Sequence, residues 1–490
     1  MDRRRAFDVR GLMVLAFTVF LAGCTVGPDY VRPDVDVPAE FRYEDRDARQ
    51  TANIEWWKQF QDPVLNALVD EALANNRNIK IAAANVERAA GVLTQTRSPL
   101  YPQIGYGGSG ARERATEAGA VPLPSIIPNP QTSYQVLAGA SWEIDLWGRI
   151  RRLSESAQAE LLATEEAWHG VILSLVASVA NSYIQLLGLD EQLLVAKRTL
   201  ATYAESLRLF ELRFKYGQVS QMTVAQARSQ YETAAAGIPQ IESQIAQTEN
   251  ALSILLGRNP GPVRRGKTLQ QLGLPPVPAG LPSEVLANRP DIRQAEQNLI
   301  AANAQIGAAR ALYFPTISLT GAFGFASSDL SDLFTGSARV WNYAGSITGP
   351  IFTGGAISSQ VKQAEAARKG ALYDYELTIQ SAFADAESTL VARSKLVEQV
   401  QAQERLVSAN SEYVRLARLQ YDGGYSPYST VLQAEQQLFP SELNYAQYRA
   451  ALFGSLVNIY KAMGGGWITD AERLTEVQQG KNEKRSATGR

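Results

Sequence analysis

Residues Gly148 to Tyr216 read GRIRRLSESAQAELLATEEAWHGVILSLVASVANSYIQLLGLDEQLLVAKRTLATYAESLRLFELRFKY, and the fold follows from what this stretch lacks. It holds no proline and few glycines, and Ala, Leu, Gln and Glu recur throughout, so nothing tells a helix to stop. At ~1.5 Å per residue such a helix would extend roughly 100 Å, longer than any globular domain needs. A second run of this kind, Gly355 to Asp422, lies over the first without a gap. Gly148 and Ile150 fall on Gly355 and Ile357, Phe214 on Tyr421, Gly217 on Gly424, Thr223-Val224 on Thr430-Val431, Gln226-Ala227 on Gln433-Ala434 and Gly257 on Gly464. The offset is constant, so one structural unit is used twice.

Composition narrows the function. The net charge of −2, without any run dense in lysine and arginine, gives no electrostatic footprint for nucleic acid. One cysteine excludes internal disulfides, and one histidine makes any His-based triad depend on His169, which sits mid-helix as an ordinary face residue. No paired acid/base cluster, metal site or cofactor motif stands out, and the chain reads as a non-enzyme.

Residues 1–23 form an export signal, with Arg3-Arg4-Arg5 ahead of an apolar segment too short to span a bilayer. It ends in Leu21-Ala22-Gly23-Cys24, a pattern that resembles the lipobox of bacterial lipoproteins, in which Cys24 becomes the acylated first residue. The plain alternative is a signal ending in a buried thiol. Thr25 after the cysteine suggests, by the same resemblance, delivery to an outer membrane. The remaining chain shows no apolar stretch near 20 residues, Val171 to Ala180 being the richest, so a membrane crossing would have to use β-strands.

The segment 24–61 is extended and polar, leading through Trp56-Trp57 and Phe60 to Asp62-Pro63, an N-cap with proline at the first helical position. A helix is expected from there to about Arg97. Beyond Pro102 the period changes to two. Ile317, Leu319, Phe323 and Phe325 alternate with Thr316, Ser318, Thr320 and Gly324, and Trp341, Tyr343 and Ile347 with Asn342, Ala344 and Ser346. In the first copy Tyr134, Val136, Ala138, Ala140, Trp142 and Ile144 do the same, with a weaker strand from Ile104. A half-buried sheet would alternate alike, but export, aromatics near strand ends and small polar residues opposite favour a transmembrane barrel. Four strands cannot close one, so the chain must oligomerise. Turns are expected at 112–132 and 327–338. The organisation is repeat 1 over 62–257, a linker over 258–288, repeat 2 over 289–464 and a polar tail over 465–490, each repeat ending in a shorter returning helix that could stack end to end with the unit's first helix beside the long one. In the linker, Gly261 to Thr268 spells a phosphate-loop pattern, but no strand precedes it and Pro275-Pro276 leaves no room for the helix, so it reads as coincidence.

Several motifs in order, Cys24-Thr25-Val26-Gly27-Pro28, Trp56-Trp57 with Asp62-Pro63, Asn288-Arg289-Pro290-Asp291-Ile292 and Gly464-Gly465-Gly466-Trp467, resemble the outer-membrane factors of tripartite efflux systems, in their lipoprotein branch. The resemblance implies a homotrimer with a single twelve-stranded β-barrel continued by a long periplasmic α-helical barrel. It also implies a tip that meets a periplasmic adaptor and, through it, an inner-membrane pump of the resistance-nodulation-division type, with adaptor and pump choosing the exported compounds. The expected role is a passive duct for small molecules; the outer-membrane part of a type I protein secretion system and a lipid-anchored scaffold without a pore are the alternatives. At the tip the family carries an aspartate where this chain has Gln433, which puts cation selection in doubt. The expected aperture set is Tyr421, Asp422 and Gln433 with Tyr216 and Gln226, and the expected adaptor-docking turns are Gly217, Gln218, Val219, Ser220 and Gly424, Tyr425, Ser426.

Overall fold

The computed structural model describes residues 25–35, 55–116, 128–275 and 287–464, with positions 38, 41, 118, 277 and 285 between them. The signal segment, Cys24 and the tail from 465 lie outside the described residues. In chain order the elements are α1 (Pro63–Asn75), α2 (Arg77–Arg97), β1 (Gln103–Glu113), β2 (Gln131–Ile144), α3 (Arg149–Lys215), α4 (Gln221–Leu255), α5 (Pro290–Ala311), β3 (Thr316–Ser327), β4 (Arg339–Thr348), α6 (Ala356–Asp422) and α7 (Tyr428–Ala462). The duplication is visible in the lengths: α3 and α6 each have 67 residues, α4 and α7 each 35. Left-handed glycines recur at the same offset, Gly148 with Gly355, Gly217 with Gly424 and Gly257 with Gly464. The two returning helices run unbroken through Pro239 and Pro440.

Two compact units share these elements. The first comprises 1–34, 85–164 and 295–375 and contains the sheet; the second comprises 35–84, 165–294 and 376–490 and contains the helical core and the helix tips.

In the first unit the strands form one antiparallel sheet in the order β1-β2-β3-β4. The central pairing, Tyr134 opposite Ser327 through to Ile144 opposite Ile317, joins the hairpin of one repeat to that of the other. Register fixes the faces. Tyr106, Ala138, Phe323 and Trp341 form one row and Ile144, Ile317 and Ile347 another, all on one side. Gly105, Gly139, Ala322 and Asn342 form a row on the other side. Much of the apolar face has no cover among the described residues: Tyr106 is 94% exposed, Tyr343 81% and Ile347 72%. The first hairpin pairs further than expected, since Arg112 opposes Thr132 and Glu113 opposes Gln131, which shortens the turn to the residues between.

Below the sheet, Trp147 donates through Nε1 to the Pro315 carbonyl at 2.8 Å and stacks on Phe314 at 4.5 Å. The N-terminal segment is strapped to this region. Val26 N–H donates to the Trp147 carbonyl, the buried Arg152 guanidinium holds Asp29 at 2.6 Å, and both Tyr30 and Arg32 donate to Glu296. A methyl placed on Gly148 would lie 2.8 Å from Thr25 Cγ2, so the first described residue sits at the strand-to-helix junction.

In the second unit the core packs Trp56, Trp57, Phe60 and Leu65 against Ile172, Val176, Tyr183 and Tyr460, with Trp56 stacked on Tyr460 at 5.1 Å. The first helix does not run through to Arg97. It breaks at Asn76, whose extended backbone (ψ 134) ends α1 while its side chain accepts from Asn78 N–H and Ile79 N–H and so caps α2. The Asn76 amide also donates to the Leu255 carbonyl, one of the orphan acceptors at the end of α4. Arg289 does the same at the other copy, donating to the Ala462 carbonyl just before α5 begins. The returning helices therefore meet the short helices end on, as expected. One correction concerns hydropathy. Helix α3 contains an 18-residue window of mean hydropathy 1.6, apolar enough to cross a membrane by composition, yet 61% of that window is buried in protein core.

Candidate functional site at the helix tips

The long helices end in matched turns. Gly217 (φ 72) and Gly424 (φ 75) take the left-handed conformation that ends a helix without a Cβ penalty. Gln218 N–H then reaches back to the Arg213 carbonyl and Tyr425 N–H to the Gln420 carbonyl, both at 2.8 Å, closing equivalent caps. Ser220 starts α4 by accepting from Thr223 N–H, while Pro427 starts α7 without a side-chain cap. Each hairpin is zipped by a corresponding seam. Phe210, Val224 and Ala227 pack together in the first copy, and Ala417, Val431 and Ala434 with Val414 in the second.

The two hairpins are tied to each other by an aromatic knot. Phe210 lies 4.1 Å from the Tyr428 ring and 6.2 Å from Tyr421, and Tyr421 lies 5.4 Å from Tyr428. Arg213 donates through Nη1 to the Tyr421 hydroxyl at 2.9 Å and hangs its guanidinium 6.0 Å over Phe210 and 5.9 Å over Tyr421. Val219, in the first turn, packs onto the same cluster. Lower along the hairpins, Arg418 holds the buried Glu435 at 2.6 Å. Burial and the nearby Glu435 carboxylate push the Tyr428 and Tyr203 hydroxyls well above the usual phenol range.

The expected aperture residues separate into two groups. Tyr421 is half-buried in the knot, while Asp422, Gln433 and Tyr216 are exposed and Gln226 is partly so. Of the turn residues, Gln218, Gly424 and Tyr425 are exposed, with Tyr425 at 88%. Sequence reading missed Phe210, Arg213 and Tyr428. The signal was available, since these are positions where the two copies disagree: Phe210 matches Ala417, Arg213 matches Gln420 and Tyr428 matches Gln221.

Elsewhere the chemistry is structural. In the phosphate-loop pattern, Gly266 N–H donates to the Tyr183 hydroxyl and Lys267 N–H to Asp62 Oδ2, while Arg265 pairs with Asp190 and Glu249. Lys267 N–H thus holds a carboxylate of the chain itself, and Gly266 N–H holds the hydroxyl that donates to it. His169 is paired with Glu166, which also meets Arg293 at 2.6 Å. A cavity of about 540 Å³ is lined by Asn181, Gln185, Gln192, Gln244 and Gln447 with apolar residues and contains no titratable side chain. Among the described residues no group of three or more His, Cys, Asp or Glu is arranged to hold a metal ion.

Comparison with known proteins agrees over most of the chain. A family model described as outer membrane efflux protein matches residues 68–258 and 281–465. The solvent efflux pump outer membrane protein SrpC of Pseudomonas putida is 39% identical over 458 residues, 92% of this chain and 97% of its own. The antibiotic efflux pump outer membrane protein ArpC of the same species is 37% identical over 467 residues, 94% and 96%. The open state of the Neisseria gonorrhoeae MtrE outer membrane channel matches with a TM-score of 0.82 at 34% identity, covering 91% of this chain and 99% of that one. That neighbour is an outer-membrane channel, and the fold found here, long helices with four antiparallel strands per chain, matches it over 91% of this chain.

Proposed function

The chain belongs to the outer membrane efflux protein family, and from that premise we propose how three copies form an efflux conduit. The observation that carries the reading is the sheet. It has one uncovered apolar face and strands of 10 to 14 residues, enough to cross a bilayer, and in β1 and β4 it keeps a strand edge unpaired among the described residues. Pairing β4 of one copy with β1 of the next satisfies both edges, and three copies close twelve strands. The faces then assign themselves: the rows with Trp341 and Ile347 meet lipid, and the glycine and alanine rows line a smooth lumen.

The outer membrane is the location, and the lipid attachment we propose there is Cys24. What supports the attachment is the strap: Thr25 lies against Gly148 at the junction of sheet and helix, where an acyl chain on the preceding residue would reach the membrane surface. The long helices form a tunnel away from the membrane, and its tip, with the exposed Tyr425 and Gln218 turns, docks a periplasmic adaptor that links it to an inner-membrane pump of the resistance-nodulation-division type. Asp422, Gln433, Tyr216 and Gln226 surround the aperture, while Tyr421 holds the wall. Solutes pass by diffusion, and the machinery contributes no bond chemistry.

The test is reconstitution of the detergent-purified protein into planar bilayers, with gel migration compared before and after heating. Stepwise conductance and a heat-dependent change in migration are expected. A water-soluble monomer after removal of the acyl group, with no steps, would refute the conduit.

A further inference from the structure

Helix α3 carries the core on one side and the large cavity on the other. Val176, Tyr183 and Leu187 pack into the Trp56 core, whereas Asn181, Gln185, Gly188 and Gln192, spaced four, three and four residues apart, stand about half a turn away. Helices α4 and α7 wall the cavity on either side, held to α3 by the Lys197–Glu242 pair at 3.1 Å and the Arg198–Glu442 pair at 2.7 Å. The hollow exists because small residues line the seam of α3 and α7. A methyl on Gly188 would stand 2.6 Å from Ala450 Cβ and one on Gly454 3.1 Å from Asn181 Oδ1, so the helices close on each other and no side chain rises to fill the space above. Ile184 and Leu189 give it a buried apolar floor. Asn181 donates to Asn458 Oδ1 at 3.0 Å, but Gln185, Gln192, Gln244 and Gln447 have no hydrogen-bond partner among the described residues. The second repeat does not carry this lining: at the positions matching Asn181, Gln185, Gly188 and Gln192 stand Ser388, Ala392, Lys395 and Gln399, and Lys395 brings a charge, paired with Glu398, where Gly188 leaves room.

We propose that this cavity is a solute site on the wall of the conduit lumen, one per chain, for uncharged organic molecules that combine an aromatic or aliphatic body with amide, carbonyl or hydroxyl groups. The inference rests on the conduit reading above, in which the Trp56 core and the linker that Arg265 ties to Asp190 lie outside the tunnel, since three copies of them packed inside would fill the bore. The opposite face of α3, with its cavity, then looks inward. At about 540 Å³ the space falls in the range of ~300–1,000 Å³ that holds drug-sized ligands. The apolar body rests on Ile184 and Leu189. The polar groups exchange hydrogen bonds with carboxamides, which donate and accept alike and so suit many partners. An ion of the same size would give up hydration and meet no counter-charge, so charged solutes are disfavoured. Binding through uncharged groups at an open wall is readily reversed, as a conduit requires.

A matched set of probes tests it: N-acetyltryptophanamide is neutral, while N-acetyltryptophan and tryptophanamide at about pH 6 carry one negative and one positive charge. Saturation-transfer NMR on the full-length protein in detergent, with empty micelles as background, should show the neutral probe bound at least about tenfold more tightly than either charged one. Gln185 and Ala451 are exposed on the rim, so their replacement leaves the core intact, and heat-dependent gel migration checks that it does. Gln185→Leu should weaken the neutral probe about fivefold. Gln185→Glu should shift the preference to tryptophanamide, and Ala451→Trp, which fills the hollow, should abolish binding. Equal affinity for the three probes, or undiminished binding in a folded Ala451→Trp protein, would overturn the proposal. In planar bilayers the neutral probe should cause brief current interruptions in the unaltered channel and none in Ala451→Trp. Binding without interruptions would put the cavity off the solute path and overturn its role in the lumen. Binding by an unaltered protein that gives no conductance steps at all would refute the conduit reading and leave the site standing.

Discussion

Asp62 is the residue whose replacement the structure prices most directly. Its fully buried carboxylate accepts three hydrogen bonds, from Val64 N–H at 2.9 Å, Lys267 N–H at 3.0 Å and the Tyr183 hydroxyl at 2.8 Å. It thereby ties the start of the first repeat to α3 and to the linker between repeats. Asp62→Ala removes a helix cap, at about 1 kcal/mol, and leaves two buried donors short of their acceptor, at about 1–3 kcal/mol each. The loss should total about 3–7 kcal/mol. Asp62→Asn keeps one oxygen for the cap but turns an amide N–H toward the Lys267 N–H, so it should lose about half as much. Gly266→Ala attacks the node from the other side, since an added methyl would lie 2.1 Å from Asp62 Oδ1. Each variant is read by the temperature at which heated samples convert to the unfolded gel form, a kinetic measure of stability. In a chain of this size each kcal/mol moves such a midpoint by no more than about 2 °C, so Asp62→Ala should fall by on the order of 5–10 °C. A midpoint unchanged in Asp62→Ala, with normal helical content by circular dichroism, would refute the reasoning.

Alkaline pH should destabilise the helical core. Burial raises the Tyr183, Tyr203 and Tyr428 hydroxyls above their ordinary value, so the folded state favours the protonated phenol; that stability is complete below about pH 10 and is lost as pH rises beyond it. Tyr203→Phe should flatten the fall in unfolding temperature between neutral and strongly alkaline buffer, and an equally steep fall would count against burial as the cause. Gln433→Asp should raise the ratio of cation to anion permeability in bilayers, because it puts three carboxylates at the aperture; an unchanged reversal potential under a salt gradient would place the aperture elsewhere. Cys24→Ser should abolish incorporation of labelled acyl chain, and a labelled product from that variant would show the lipid on another residue.

The regular elements were legible because their signals are local. A helix of 67 residues announces itself by the lack of any breaker, the strands by alternation over ten residues, and the duplication by glycines that recur at one spacing. The break at Asn76 was hidden by good helix formers on both sides, although Asn75-Asn76-Arg77-Asn78 carries the side chains that compete with helical hydrogen bonding. The phosphate-loop pattern was rejected for want of a preceding strand. The structure supplies the positive reason, since the amides of Gly266 and Lys267 are already engaged. Of the knot only Tyr421 was singled out. Phe210 and Tyr428 lie more than two hundred residues apart, and no local pattern pairs them.

The departures from exact repetition make a contact between the hairpins that the repetition cannot. Gly217 and Gly424, Val224 and Val431, and Ala227 and Ala434 agree because both hairpins must turn and zip in the same way. At the positions matching Phe210, Arg213 and Tyr428 stand Ala417, Gln420 and Gln221, so the rings and the guanidinium that tie the first hairpin to the second occur in one copy of the unit only.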